Sequence, residues 1–244
     1  MISHSKKFVF IHNPKTAGTS ITSILQPYCE VLPNQDTNSP FFYHASAMKV
    51  KNFFIKMDWN WDAYYKFTFV RNPWDRLVSY YEFMKKRYND LLNENKLNTD
   101  IICKEFGENV NSFDDFILNL NIFAPNTDEH YHSINNKPSL DYVGKLESIQ
   151  TDFKIICNKI GIPYTEIPRL QTSERISYEN YYNENTANIV KNKFANDIKL
   201  FGYTFKQKKI KQNKKGFLKY WYADFKNEQK QKHFNAYNAR KPNS

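Results

Sequence analysis

Glycine is scarce in this chain, 6 residues in 244, about a third of the usual ~7% share. That shortage argues against collagen-like, linker-rich and glycine-repeat architectures. Cysteine is also rare: Cys29, Cys103 and Cys157 are odd in number and lack metal-like spacing. Free thiols in a reducing cytosol are therefore expected, rather than a disulfide framework. No stretch approaches the ~18 consecutive apolar residues of a membrane-spanning helix. The amino terminus, MISHSKKFVFIHNPK, turns polar after about five apolar residues, too few for a secretory core. No internal repeat of about 20 to 50 residues is present.

What the chain has is aromatic mass. Hydrophobic residues make up 41%, charged residues 25% and aromatics 17%, the balance of a globular chain with large rings in its core. Its length suits one α/β domain with a sizeable core. The net charge of +10 is unevenly placed. Residues 206–244 hold 12 Lys and Arg against 2 Asp and Glu, while residues 1–205 hold 23 of each. The expected organisation is a neutral domain, 1–205, followed by a basic, aromatic-containing tail, 206–244. A pI near 9.3 is then no sign that the domain binds nucleic acid, and no specific nucleic-acid partner is expected.

Lys7–His12 (KFVFIH) reads as a buried strand, and Ile21, Ile24 and Leu25 mark a helix after it. A second strand, Lys66–Val70, ends at Arg71. Asn72 is a good N-cap, Pro73 suits the first helical position and Asp75 lies in the first turn. Trp74, Leu77, Val78, Tyr81, Met84 and Tyr88 follow at helical spacing. The segment from Asn89 to Pro138 is polar, with one helical candidate at Ser112–Leu120. A third strand, Asp141–Leu146, precedes a helix bearing Ile149, Phe153, Ile156 and Ile160, stopped by Gly161 and Pro163. A last helix is expected over Ala187–Leu200. Strands alternating with helices predict a mostly parallel sheet flanked by helices, with ligands beyond the carboxyl ends of its strands.

Two motifs lie at those strand ends. In Pro14-Lys15-Thr16-Ala17-Gly18-Thr19-Ser20, strand gives way to helix, and backbone amides at a helix start form an anion site. Gly18 permits close backbone approach, Thr16, Thr19 and Ser20 offer hydroxyls, and Lys15 offers a charge. The loop is not the nucleotide triphosphatase pattern, because the first glycine is missing and Lys15 precedes Gly18. A polar turn capping a helix would have the same composition. In F-T-F-V-R-N-P-W-D-R-L-V-S-Y-Y, residues 67–81, Arg71 leaves a buried strand where a guanidinium can grip a phosphate. Ser79 lies two turns into the helix, near the face of Asp75 and Glu82. Arg71 equally fits a structural salt bridge, and Arg76 reads as a surface or intramolecular ion-pair residue.

Taken together, F-x-H-x-P-K-T-A-G-T-S and F-x-F-V-R-N-P-W-D-R-L-V-S-Y-Y resemble the 5′-phosphosulfate loop and the 3′-phosphate motif of sulfotransferases. These enzymes use 3′-phosphoadenosine 5′-phosphosulfate (PAPS), and the resemblance is closest to the carbohydrate branch, with its chondroitin and heparan types and microbial relatives. D-Y-V-G-K-L-E-S-I-Q-T-D-F and D-I-K-L-F-G-Y-T-F resemble later blocks of that branch, so the likeness runs from about Phe8 to Phe205. It implies a P-loop-like fold. It also implies that Lys15 contacts the bridging oxygen of the leaving phosphate, that Thr16, Ala17, Gly18, Thr19 and Ser20 hold the 5′-phosphate, and that Arg71 and Ser79 hold the 3′-phosphate. His44, in F-F-Y-H-A-S-A, matches the expected catalytic base. Ser173 keeps the place of a cofactor-loop serine, although the asparagine expected near it is absent from Leu170-Gln171-Thr172-Ser173. His130 and His132, in D-E-H-Y-H-S, occupy the stretch that would face the acceptor; metal ligation with Glu129 lacks a third ligand of telling spacing, and plain loop histidines are the simpler reading.

The implied reaction is in-line sulfuryl transfer from PAPS to a hydroxyl, on a glycan or another acceptor, with no metal required and with His44 as base. Two rivals remain: a P-loop-type nucleotide kinase, which needs a lysine directly before Ser/Thr and an acid for Mg²⁺, and a catalytically inactive anion-binding protein. In the tail, Phe217, Trp221 and Phe225 recur beside Lys214, Lys215, Lys219 and Lys226. A helix of this pattern suits peripheral contact with an anionic membrane, while docking of the rings on the domain is the blander alternative. The expected location is cytoplasmic, with that peripheral contact.

Overall fold

The computed structural model describes residues 1–34, 43–123, 131, 133–134, 137–168 and 176–205. The basic tail, His130, His132 and Ser173 lie outside the described residues. The central sheet has four strands: β1 (Ile2–Ser3), β2 (Phe8–Ile11), β3 (Tyr65–Val70) and, labelled in chain order after a small hairpin of β4 (Ser133–Ile134) with β5 (Lys137–Pro138), β6 (Tyr142–Lys145). The spatial order is β1-β2-β3-β6. β2, β3 and β6 are parallel, with Ile11 opposite Thr68 and Val70 opposite Lys145. β1 runs antiparallel along the edge of β2, Ile2 opposite Val9.

Both faces of the sheet are covered, so its strands are mainly apolar, as expected of parallel strands between helices; of the polar exceptions, Thr68 donates its hydroxyl to the Ile11 carbonyl and Lys66 pairs with Asp141. Phe8, Phe10, Phe67 and Phe69 pack with Ile21 and Leu25 of α1 (Gly18–Leu25) on one face. Val9, Ile11 and Val70 join Val50 and Phe54 of α2 (Ala47–Lys56) and Trp74, Leu77 and Val78 of α3 (Pro73–Asn93) on the other. Full burial of each such side chain is worth about 1.5–3 kcal/mol. Behind α3 lie α4 (Ile101–Asn109), α5 (Phe113–Leu118) and α6 (Leu120–Phe123). There the rings of Tyr81, Phe106, Phe113 and Phe116 meet at centroid distances of 5.2–6.0 Å.

The carboxyl-terminal part adds α7 (Ile149–Ile160), α8 (Glu184–Lys193) and α9 (Ala195–Phe201). Phe153, Ile156, Cys157 and Ile160 of α7 fill the face shared with α1, and the helix ends at Gly161 with φ 67°, which suits a residue without Cβ. The single helix expected over Ala187–Leu200 is two helices. The break falls at Phe194, whose buried ring lies 5.2 Å from the Arg76 guanidinium. Arg76 is not at the surface either: it is 2% exposed, and burial pushes its pKa down while the charge of Asp197 opposes that shift. The Asp197 carboxylate also accepts a hydrogen bond from the hydroxyl of buried Tyr131.

Candidate active site

The carboxyl ends of β2 and β3 carry the site. After Ile11 the chain passes through His12 and Asn13 into a tight loop before α1. Lys15 (φ 65°) and Ala17 (φ 63°) are both left-handed, a conformation costing non-glycine residues about 1–2 kcal/mol each. With such residues on both sides of Thr16, the backbone has the curl from which amide nests for anions are made. α1 begins at Gly18 with no side chain capping its first amides. The Thr16 hydroxyl donates to the Asn13 carbonyl at 2.8 Å. The hydroxyl proton of Thr16 is thus spent inside the loop.

Neighbouring groups hold this loop in place. The Asn13 amide donates to the Phe69 carbonyl of β3 at 3.1 Å, while its buried Oδ1 has no hydrogen-bond partner among the described residues. A Cβ placed on Gly18 would come within 1.9 Å of the His12 ring. Glycine is required at 18 because an imidazole occupies the space of its side chain.

Arg71 follows directly on β3. Its Nε and Nη2 both donate to Asp75 Oδ2 at 2.7 Å, and its Nη1 donates to the Lys15 carbonyl at 3.1 Å. The salt bridge weighed for Arg71 is present, and the same guanidinium ties the two motifs together. Asn72 caps α3 as expected, its Oδ1 accepting from the Trp74 and Asp75 amides. Glu147, just beyond β6, accepts from the Asn72 amide at 2.7 Å and from the Tyr203 hydroxyl at 3.3 Å. Ser79 is half-buried two turns into α3. One turn further, Phe83 is 40% exposed, and Lys15 Nζ lies 4.2 Å from its ring centroid.

His44 approaches from the segment before α2. Its ring meets that of His12 edge-on at 4.7 Å, and its Nδ1 donates to the His12 carbonyl at 3.3 Å. A carbonyl can only accept, so Nδ1 carries the proton and Nε2 is the basic nitrogen of the neutral ring. As a residue His44 is exposed. Desolvation of its inner edge lowers the His44 pKa below 6.5, the bond to His12 opposes the shift, and the charge of Lys15 adds to it.

Lys15, Thr16, Ala17, Gly18, Thr19, Ser20, Arg71 and His44 thus share one end of the sheet, with Ser79 on the helix that starts there. The motif alone assigns His12 no role, although its place two residues before Pro14 is the available clue. Asp75 was read as a helix-start acid, yet its i,i+4 relation to Arg71 foretells the clamp. Nothing in the sequence singles out Phe83. Among the described residues no group of three or more His, Cys, Asp or Glu is placed to hold a metal, all three cysteines are free, and no helix is long and apolar enough to cross a membrane.

A family model described as "Sulfotransferase family" matches residues 1–204. The chain belongs to the sulfotransferase family. A mixed α/β fold with a mostly parallel sheet flanked by helices is consistent with the P-loop-like architecture of such enzymes. Membership supports sulfuryl transfer as the chemistry of this site. The chain is also 28% identical over 120 residues to an Archaeoglobus fulgidus protein described as uncharacterized, covering 48% of this sulfotransferase and 84% of the relative. No solved structure gives a significant match.

Proposed function

We propose that this sulfotransferase moves the sulfuryl group of PAPS to an acceptor hydroxyl, on a glycan, with His44 as general base. The observation that carries this reading is the bond from Arg71 to the Lys15 carbonyl, which joins a phosphate-type loop to a strand-end guanidinium, with His44 packed on His12 at the start of that loop. PAPS presents a phosphosulfate at one end and a 3′-phosphate at the other, so two anion grips in one unit fit a doubly charged nucleotide. The loop amides of residues 16–20 and Lys15 would hold the 5′ end, Arg71 and Ser79 the 3′-phosphate. The donor supplies an electrophilic sulfur with a phosphate leaving group.

The remaining work belongs to the chain. Nε2 of His44 would take the acceptor proton as its oxygen attacks, because Nδ1 is engaged with His12 and the lowered pKa keeps the ring neutral near pH 7. Lys15 and the α1 amides would neutralise charge developing on the leaving phosphate. Ser173 would complete the cofactor loop and His130 and His132 would meet the acceptor. The tail would touch an anionic surface in a cytoplasmic setting.

Thermal shift with PAPS, ATP and DNA in parallel tests the donor, and incubation with PAPS and a panel of glycans, read by mass spectrometry, tests the acceptor. Greater stabilisation by PAPS than by ATP is expected; the reverse would overturn the assignment in favour of a kinase-like site.

A further inference from the structure

Phe83 is an aromatic ring left 40% exposed on the face of α3 that looks onto the anion loop. Residues 79 and 83 are four apart, so Ser79 and Phe83 are neighbours on one side of the helix. The Lys15 ammonium rests 4.2 Å from the centroid of that ring, well inside the ~6 Å range of a cation–π contact. Lys15 is thus fixed at three points. Its backbone is held left-handed (φ 65°), its carbonyl receives Arg71 Nη1, and its charge lies against Phe83. A lysine side chain free in water would otherwise lose its rotamer freedom on binding.

We propose that Phe83 is a positioning residue for Lys15, its ring holding the ammonium ready for the phosphate of the donor. The role rests on the donor reading above. The Phe83 ring acts through the lysine, with no contact to the reacting atoms. A leucine of similar apolar character cannot replace it, because the attraction comes from the ring quadrupole, whereas tyrosine or tryptophan can.

The experiment has two arms. In the unliganded protein, reductive ¹³C-dimethylation keeps the lysine charge, and the Lys15 methyl resonance, assigned through Lys15→Arg, should show an upfield ring-current shift that is lost in Phe83→Leu and kept in Phe83→Tyr. In the unmodified protein, calorimetry with adenosine 3′,5′-bisphosphate should show Phe83→Leu weakening binding about two- to fivefold, because the lysine regains rotamer freedom that binding must then remove. Phe83→Tyr should restore it, and in a Lys15→Ala background Phe83→Leu should add nothing. The KM for the acceptor and the melting temperature should stay as in the parent. An unshifted Lys15 resonance overturns the positioning role whatever the donor is. A shifted resonance in a protein that does not bind the bisphosphate overturns the donor reading and the role with it. Equal loss in the presence and absence of Lys15, or a raised acceptor KM, reassigns the ring to packing or to the acceptor and overturns the proposal.

Discussion

At the scale of single residues, the site is a set of side chains held by groups other than a ligand. Arg71 has its guanidinium already oriented by Asp75 and the Lys15 carbonyl. Lys15→Ala and Arg71→Ala should each weaken PAPS binding by about 1.5–3 kcal/mol, the value of one charge-assisted hydrogen bond, measured by calorimetry. Unchanged affinity in both, with intact folds, would refute the donor assignment. Gly18→Ala should be damaging for a different reason, since its methyl and the His12 ring claim the same space. The expected result is loss of donor binding together with a changed His44 titration. His44→Ala should leave PAPS affinity nearly intact and reduce turnover by about 10²–10⁴; turnover within a few-fold of the parent would show another base. The pH sign follows from the lowered His44 pKa. The folded protein binds this proton less readily than the unfolded chain, so the stability linked to neutral His44 is present above 6.5 and lost as pH falls from there through the folded value. Turnover should accordingly persist below pH 6.5. Lys15→Ala, by removing a nearby positive charge, should move the His44 midpoint upward in an NMR titration, and an unmoved midpoint would show that the two are not coupled.

Among the elements, α3 was the most legible. Its cap, its proline and its apolar spacing all favour the same helix, and Asn72 accepts from two first-turn amides. Asn72→Ala should cost about 0.5–2 kcal/mol, read as a lower melting temperature. The three parallel strands were legible because each is a short apolar run bounded by polar residues, and Gly161 stops α7 as its sequence implies. α2 and α4 were not read. Three lysines dilute the apolar pattern of AMKVKNFFIK, and Ile101 and Ile102 of α4 face outward while Cys103 and Phe106 are the buried pair. β1 has two residues and exists by pairing with β2, a long-range fact that local pattern cannot contain. The break at Phe194 has the same origin, since its buried ring lies near an arginine more than 100 positions earlier. In the site, Lys15 and Arg71 could be named from motif and strand-end placement, and His44 only through the family resemblance. Asp75 is foretold by its i,i+4 spacing to Arg71, whereas the contacts of His12 with Gly18 and of Phe83 with Lys15 arise only in the fold.

For the molecule as a whole, the basic tail has a test of its own. Deleting 216–244 and comparing liposome binding, melting temperature and activity on neutral and acidic acceptors separates a membrane contact from a tail that docks on the domain. Lost liposome binding at constant melting temperature is the expected outcome; a large drop in melting temperature from a parent that never bound liposomes would eliminate the membrane reading. The parallel register of β2 with β3, Ile11 beside Thr68, has a wider consequence. Neighbouring strands stand about 4.8 Å apart, and on the proposed donor reading each would deliver one anion grip shortly after its last residues. The sheet therefore works as a caliper whose jaws are set by backbone pairing, and its gauge does not change when surface loops do. On that reading, substitutions in the loops would retune which hydroxyl is modified without rescaling the grip on the donor.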